Sequence, residues 1–341
     1  MVQEFIKNWW NLLRYEPDDP RLYAGGTVRI AAIGGGTGLS TLLRGLKKYS
    51  NHISAIVTVA DNGSSTGDIR KEFDMLAPGD IRKCIGALAY DEEIISQIFE
   101  HRFSKDKQLF GGHTLGNIWI TGLTQIYGSF DKAIEATSEI FKTAGKVLPA
   151  TLSEVDIKIT YKDNSEKIGE CYLDEILKPI SKVALTDMKV RAYVKAVEAI
   201  NTADLILIGP GSLYGSVLPN LLIPDLKKAI VANKKATKIY IANCSNERTQ
   251  TPGYTVEDHI DALIDHAGRL FDLCLVNNKI LRRSDDQSKL GEINNIVTEK
   301  SSHRGVQLVK EDVISEVNPL FHDSVKLARA IIELYNRNRK K

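Results

Sequence analysis

Residues 28–46 read VRIAAIGGGTGLSTLLRGL, and this stretch decides the fold. Val28–Ile33 is a short, largely apolar run bounded by glycines, the pattern of a buried strand rather than a helix. Gly34-Gly35-Gly36-Thr37-Gly38 follows, and then Leu39, Leu42, Leu43 and Leu46 recur at helical spacing. Strand, tight glycine turn and helix therefore succeed one another within nineteen residues.

The same order returns along the chain. Ile53–Ala60 is a second apolar run, ending in DNGSSTG at 61–67. Leu205–Ile208 is a third, ending in Gly209-Pro210-Gly211-Ser212. Lys238–Ala242 ends in Asn243-Cys244-Ser245-Asn246, and Phe271–Val276 ends in Asn277-Asn278. Val190–Ile200 and Val256–His266 carry helical spacing between them. Alternating strands and helices predict an α/β, Rossmann-like fold: a mostly parallel sheet with helices on both faces. Val155, Ile157, Ile159 and Tyr161 alternate with polar residues before the turn Asp163-Asn164-Ser165, so an inserted β-hairpin is predicted near residues 147–173. No Pro/Gly/Ser-rich linker divides the chain. We expect residues 27–341 to form a single α/β domain, preceded by an N-terminal extension at 1–26 with an amphipathic, Trp-containing start.

Composition narrows the function. The 341 residues include 45 basic and 43 acidic side chains, for a net charge of +2, so no nucleic-acid partner is expected. Cys84, Cys171, Cys244 and Cys274 form no CxxC pair, which argues against a zinc ribbon or a disulfide scaffold. No apolar run reaches the ~18 residues of a membrane span. The start of the chain lacks a secretory cleavage pattern, so a cytoplasmic protein without a membrane anchor is expected. GDIRK occurs at 67–71 and 79–83, and Asp68 and Asp80 are expected to cap helices. Arg337, Arg339, Lys340 and Lys341 read as a solvated helix end.

In an open parallel sheet, ligands sit beyond the carboxyl ends of the strands. Gly34, Gly35, Gly36, Thr37 and Gly38 suit a phosphate, because glycine backbone approaches closely and a helix N-terminus favours an anion. The spacing is neither a Walker motif nor GxGxxG. Asp61, Asn62 and Ser65 offer acceptors and donors for a ribose, a base edge or a hydrated cation, and Asp61 is the candidate metal ligand. Gly209, Pro210, Gly211 and Ser212 form a second anion cradle, with Ser212 also placed to cap the next helix. His113 and Asn117, four apart, are expected on one helical face. Asp80 and Arg82 follow a turn, with Arg82 a candidate phosphate ligand. His259 and His266 lack HExxH spacing and read as a helix face, and no GxSxG marks a serine nucleophile.

GGGTGLSTLLRGLK, IVTVADNGSSTG, APGDIRKCIGALA, GHTLGN, IGPGSLYGSVLPNLL and HDSVKLA together resemble the bacterial YvcK family, also called gluconeogenesis factor. That family shares a superfamily with CofD, the 2-phospho-L-lactate transferase. The resemblance runs over roughly residues 27–330. It implies a cleft for a nucleoside diphosphate and a non-catalytic sensor of UDP-sugars such as UDP-N-acetylglucosamine. Such a sensor would be tied to gluconeogenic growth, peptidoglycan precursor supply and cell shape. It would act through a regulatory protein partner, in a chain expected to be a homo-oligomer. Asn243, Thr249 and Gln250 then join the candidate ligand-binding residues, Asn243 for ribose, base or sugar hydroxyls. The alternative is a CofD-like transferase moving a phospholactyl-type group to an alcohol with Mg²⁺, Asp61 orienting acceptor or metal; no cofactor is otherwise expected. The chain departs from the family at Asn62, where a second aspartate is usual, at Asp68 and Phe321, where arginines are usual, and at Thr249-Gln250-Thr251-Pro252-Gly253, where Thr-Gln-Pro-Gly is usual. The Asn62 change weakens a two-carboxylate Mg²⁺ site.

Overall fold

A computed structural model describes residues 28–339 apart from 108, 176–177 and 282–294. The extension at 1–26 and the terminal lysines, Lys340 and Lys341, lie outside these residues. The order begins β1 (Ile30–Gly34), α1 (Gly36–Leu46), β2 (Ile53–Val57), α2 (Ser64–Phe73), α3 (Gly79–Leu88), α4 (Glu92–Glu100), α5 (Leu115–Tyr127), α6 (Phe130–Ile140) and β3 (Gly145–Pro149). A small insert follows: β4 (Ile157–Tyr161), β5 (Glu166–Ile168), α7 (Tyr172–Glu175) and β6 (Ile180–Leu185). Then come α8 (Val194–Thr202), β7 (Leu205–Ile208), a π-helical turn (Leu213–Val217), α9 (Leu218–Leu221), α10 (Pro224–Ala232), β8 (Thr237–Ile241), α11 (Val256–Ala267), β9 (Leu273–Asn277), β10 (Ser302–His303), β11 (Val306–Glu311) and α12 (Ser324–Arg339).

The main sheet has the order β10-β11-β9-β8-β7-β1-β2-β3, and only the β10–β11 pair is antiparallel. Every residue of β1, β7 and β9 is buried, as strands covered on both faces require. α1 packs with α3 and α12, while α8 packs with α10 and reaches β2 and β3. α11 starts on a capping box: Thr255 Oγ1 accepts from the Asp258 amide, and the Thr255 amide donates to Asp258 Oδ2 at 2.8 Å.

The mostly parallel Rossmann-like sheet is as expected, with several local corrections. The second apolar run leaves the sheet at Val57, although Thr58, Val59 and Ala60 stay buried. Val147 and Leu148 belong to β3 in the main sheet, paired with β2, and not to the insert. The hairpin β4–β5 is joined by β6, so the insert is a three-stranded antiparallel sheet. Gly63 and Pro78, not Asp68 and Asp80, stand at the caps of α2 and α3: Asp68 lies exposed within α2, and Asp80 falls in the first turn of α3. His113 precedes α5, whose cap is Thr114. α12 runs to Arg339 with a buried stripe through Leu327, Ile331 and Leu334, and Arg337 pairs with Glu311 at 2.9 Å.

Gly45 sets how closely the first and last helices approach. A Cβ there would lie 1.9 Å from the Ser324 carbonyl oxygen and 2.7 Å from Ala328 Cβ. Gly45→Ala must push α12 away and is expected to cost about 3 kcal/mol, at the upper end of overpacking penalties, measurable by urea denaturation.

Candidate ligand-binding site

The chain lays β2 and β3 on one side of β1, then returns to place β7, β8, β9 and β11 on the other. The reversal falls between β1 and β7, whose carboxyl ends both run into glycine loops. Such a reversal opens a crevice.

The loops meet backbone to backbone. A Cβ on Gly38 would lie 2.7 Å from the Pro210 carbonyl oxygen and 2.9 Å from Gly211 Cα. Gly36 opens α1 at φ +62°, a conformation that β-branched residues resist. Gly35 is extended, but a Cβ there would meet Asp80 Oδ2 at 2.5 Å. Asn220, fully buried, donates to the Gly34 carbonyl at 3.0 Å and to that of Ser216 at 2.7 Å, tying the first loop to the turn after the second. Ser212 caps that turn, accepting the Gly215 amide at 3.1 Å.

Above the loops lies a cleft of about 1050 Å³, lined among others by Gly35–Gly38, Pro210–Ser212, Asn243, Thr249, Gln250 and His322. A smaller compartment of about 290 Å³ adjoins it, lined by Asp61, Ser65, Thr66, Asp80, Asn117 and others. Gly36, Lys83, Glu170, Asp174 and Ser216 line both. A single crevice therefore serves both glycine loops.

Several expected ligand residues turn their polar ends to the protein instead. Asn243 Oδ1 accepts the Gly211 amide at 3.2 Å and its Nδ2 donates to the Gly211 carbonyl at 2.9 Å, so it holds the second loop in shape. Asn62 Oδ1 accepts the Cys171 amide at 2.9 Å, anchoring the insert. Arg82 is 3% exposed and donates to Asn117 Oδ1, the Phe99 carbonyl and Glu100. Ser65 Oγ accepts from Asn117 Nδ2 at 3.1 Å and meets His113 Nδ1 at 3.0 Å, so His113, Ser65, Asn117 and Arg82 form one chain. Gln250 accepts from Ser212 Oγ at 2.6 Å; Gln250 and Thr249 both donate to Asp174 Oδ1 at 3.2 Å.

Lys83, Glu170, Asp174 and Glu247 were not picked out from the sequence. Lys83 had a signal: Asp80 and Lys83, three apart, share a helix face, whereas Asp80 and Arg82 do not. Glu170 and Asp174 reach the cleft from the insert, and no local pattern announces that.

The site is acidic. Burial, then the nearby Asp61, Asp174, Asp80 and Glu247 carboxylates, push Glu170 up to about 8. Burial, then Asp174, push Glu247 up to about 7. Asp61 is raised by burial and by Asp80, against the Gly63 amide it accepts at 2.9 Å. Burial pushes His322 down to about 4, so its ring is neutral beside the Ala242 carbonyl.

Fold and site define a Rossmann-like α/β protein with a glycine-lined cleft at the strand-order reversal. Comparison with known proteins agrees: the family described as 2-phospho-L-lactate transferase CofD matches residues 30–314. The chain belongs to this YvcK/CofD family. It is 37% identical to the gluconeogenesis factor of Bacillus subtilis, over 90% of this chain and 98% of that one. It is 38% identical to the gluconeogenesis factor of Halalkalibacterium halodurans, over 89% and 95%. A crystal structure of a protein from Bacillus halodurans superposes with a TM-score of 0.82 at 37% identity, covering 90% of this chain and 99% of that one.

CofD-like transferases use Mg²⁺, and the small compartment offers it oxygen donors. Asp61 and Asp80 present hard carboxylate oxygens to the small compartment, beside the Thr66 hydroxyl. Asn62 faces away, so Asp80 is the second carboxylate here. Among the described residues no three His, Cys, Asp or Glu side chains converge on one point. Mg²⁺ suits such a place only with water and ligand phosphates completing its shell, which is its usual habit. Among the described residues no helix is long and apolar enough to cross a membrane.

Glu170 makes stability depend on pH. The folded chain holds its proton to about 8, while the unfolded chain releases it near 4.5, so folding stability is lost as pH rises between them. Glu170→Gln removes that loss. Its melting temperature should match wild type near pH 5 and exceed it by about 2 °C or more near pH 8.5, read by scanning calorimetry.

Proposed function

We propose that this protein is a cytoplasmic nucleotide-sugar-binding regulator of the gluconeogenesis factor type. Its ligand is a UDP-sugar such as UDP-N-acetylglucosamine, and its output reaches central carbon metabolism, peptidoglycan precursor supply and cell shape through a protein partner. The observation that carries this reading is the contact between the two glycine loops, which sets the N-terminal turn of α1 and Pro210–Ser212 on one cleft, within reach of one diphosphate. The volume of about 1050 Å³ leaves room for a nucleoside and a sugar on either side of the phosphates. Thr37 and Arg248 line the same cleft with donors for them. Regulation then requires the ligand to prefer one of two conformations that the partner distinguishes.

A screen of nucleotides and nucleotide sugars by thermal shift tests the reading, since a ligand of the native state raises stability by mass action. A UDP-sugar should give the largest rise. Gly36→Val strains the turn at φ +62° and places a branched side chain over the amides. It should weaken nucleotide binding by about tenfold, or ~1.4 kcal/mol, in titration calorimetry. Unchanged affinity in a folded variant removes the first loop from the site.

One observation favours a second reading as a Mg²⁺-dependent transferase: Asp61 and Asp80 line the small compartment together, close to the first glycine loop. Phosphoryl-type transfer asks mainly for positioning and charge neutralisation, so the reaction needs no side-chain nucleophile. Release of a nucleoside monophosphate from an NDP-linked donor, in the presence of Mg²⁺ and an acceptor alcohol, would establish it. Saturable UDP-sugar binding without turnover supports the regulator.

A further inference from the structure

The diphosphate cleft proposed above is ringed by acidic side chains: Asp61, Asp80, Glu170, Asp174 and Glu247. An anion entering it needs a positive partner. The buried arginines of this neighbourhood are already engaged. Arg82 is held by Asn117, Phe99 and Glu100, and Arg70 by the Asp61 carbonyl, Asp156 and Glu154. Arg102, in the small compartment, donates to the Gly112 carbonyl.

Lys83 differs from these, and from Arg248, which lines the large compartment but not the small one. It lines both compartments, and its side chain is 32% exposed. Its ion pair is a long one, 3.4 Å to Asp80 Oδ1, one turn away on the same helix. The pair is half-buried, with Asp80 9% exposed, but at this length it leaves the flexible ammonium able to turn toward an anion brought into the cleft. Its four-carbon stem gives it reach from Asp80 toward the amides of Gly36.

We propose that Lys83 is a ligand-contacting cation where the two compartments join: its ammonium moves from Asp80 onto the phosphate of a nucleoside diphosphate, and the anion then binds without a divalent metal. The inference rests on the cleft being a diphosphate site. It assigns to this chain's own side chain the charge that Mg²⁺ supplies in CofD-like transferases. Arg82, the neighbour that the sequence favours, instead braces α3 against α5 and the end of α4.

Titration calorimetry with UDP as the probe tests it, on wild type, Lys83→Met and Lys83→Arg, first in EDTA and then with Mg²⁺. Wild type should bind in EDTA, with less than about threefold gain from Mg²⁺. Lys83→Met keeps the stem and removes the charge, so UDP should bind at least about tenfold more weakly in EDTA. Lys83→Arg should restore binding to within about threefold of wild type. Circular dichroism confirms that each variant is folded. Wild-type affinity in Lys83→Met, or wild-type binding only with Mg²⁺, overturns the inference and leaves the cleft standing. No binding of UDP by wild type in either condition overturns both.

Discussion

The site depends on a missing atom. Gly38 has no Cβ, and the Pro210 carbonyl occupies the place where one would be. That contact joins the ends of β1 and β7 at the point where strand order reverses. Three side chains near the cleft stabilise it. Asn220 draws Gly34 toward the π-helical turn, Asn243 holds both polar groups of Gly211, and Ser212 caps the turn that follows. Three buried or half-buried polar side chains are thus spent on loop shape. Leaving any one partner unmatched would carry the desolvation cost of an orphaned buried group, which is why the loops are held rather than floppy.

Much of the frame was legible. β7 coincides with its apolar run, because a fully buried parallel strand is a continuous apolar run with sharp ends at Asp204 and Gly209. β2 does not coincide. Thr58, Val59 and Ala60 are buried under the site but lie beyond the sheet, and apolarity reports burial rather than ladder pairing. β3 was absorbed into the neighbouring hairpin because Lys146-Val147-Leu148-Pro149 has no signal of which sheet it will join. β11 alternates buried and exposed positions, as a half-covered strand near the sheet edge does, and its polar residues hid it.

The site was legible as a set of loops and less so as a set of roles. A polar residue at a strand end marks the cleft, yet its side chain can serve the ligand or the backbone, and sequence does not separate the two. Asn243 and Asn62 both serve the backbone. Arg82 and Lys83 stand next to each other on α3 and face different ways, which a 100° step per residue produces. Glu170 and Asp174 come from an insert whose docking depends on tertiary contacts alone.

That insert is not an ornament on the sheet. It meets the cleft through Asn62 on the Cys171 amide, and through Asp174 on Thr249 and Gln250. Gln250 in turn accepts the Ser212 hydroxyl, so a hydrogen-bonded path runs from α7 to the second glycine loop. Glu170, on the same insert, lies where its carboxyl would crowd a Cβ on Gly215, 2.8 Å away. The small residue in the turn and the carboxyl beside it therefore fit as a pair. An anion on the glycine loops would lie beside Ser212, at the end of that path, and beside the protonated carboxyl of Glu170. A ligand could shift the insert along that path only by preferring one arrangement of it over another.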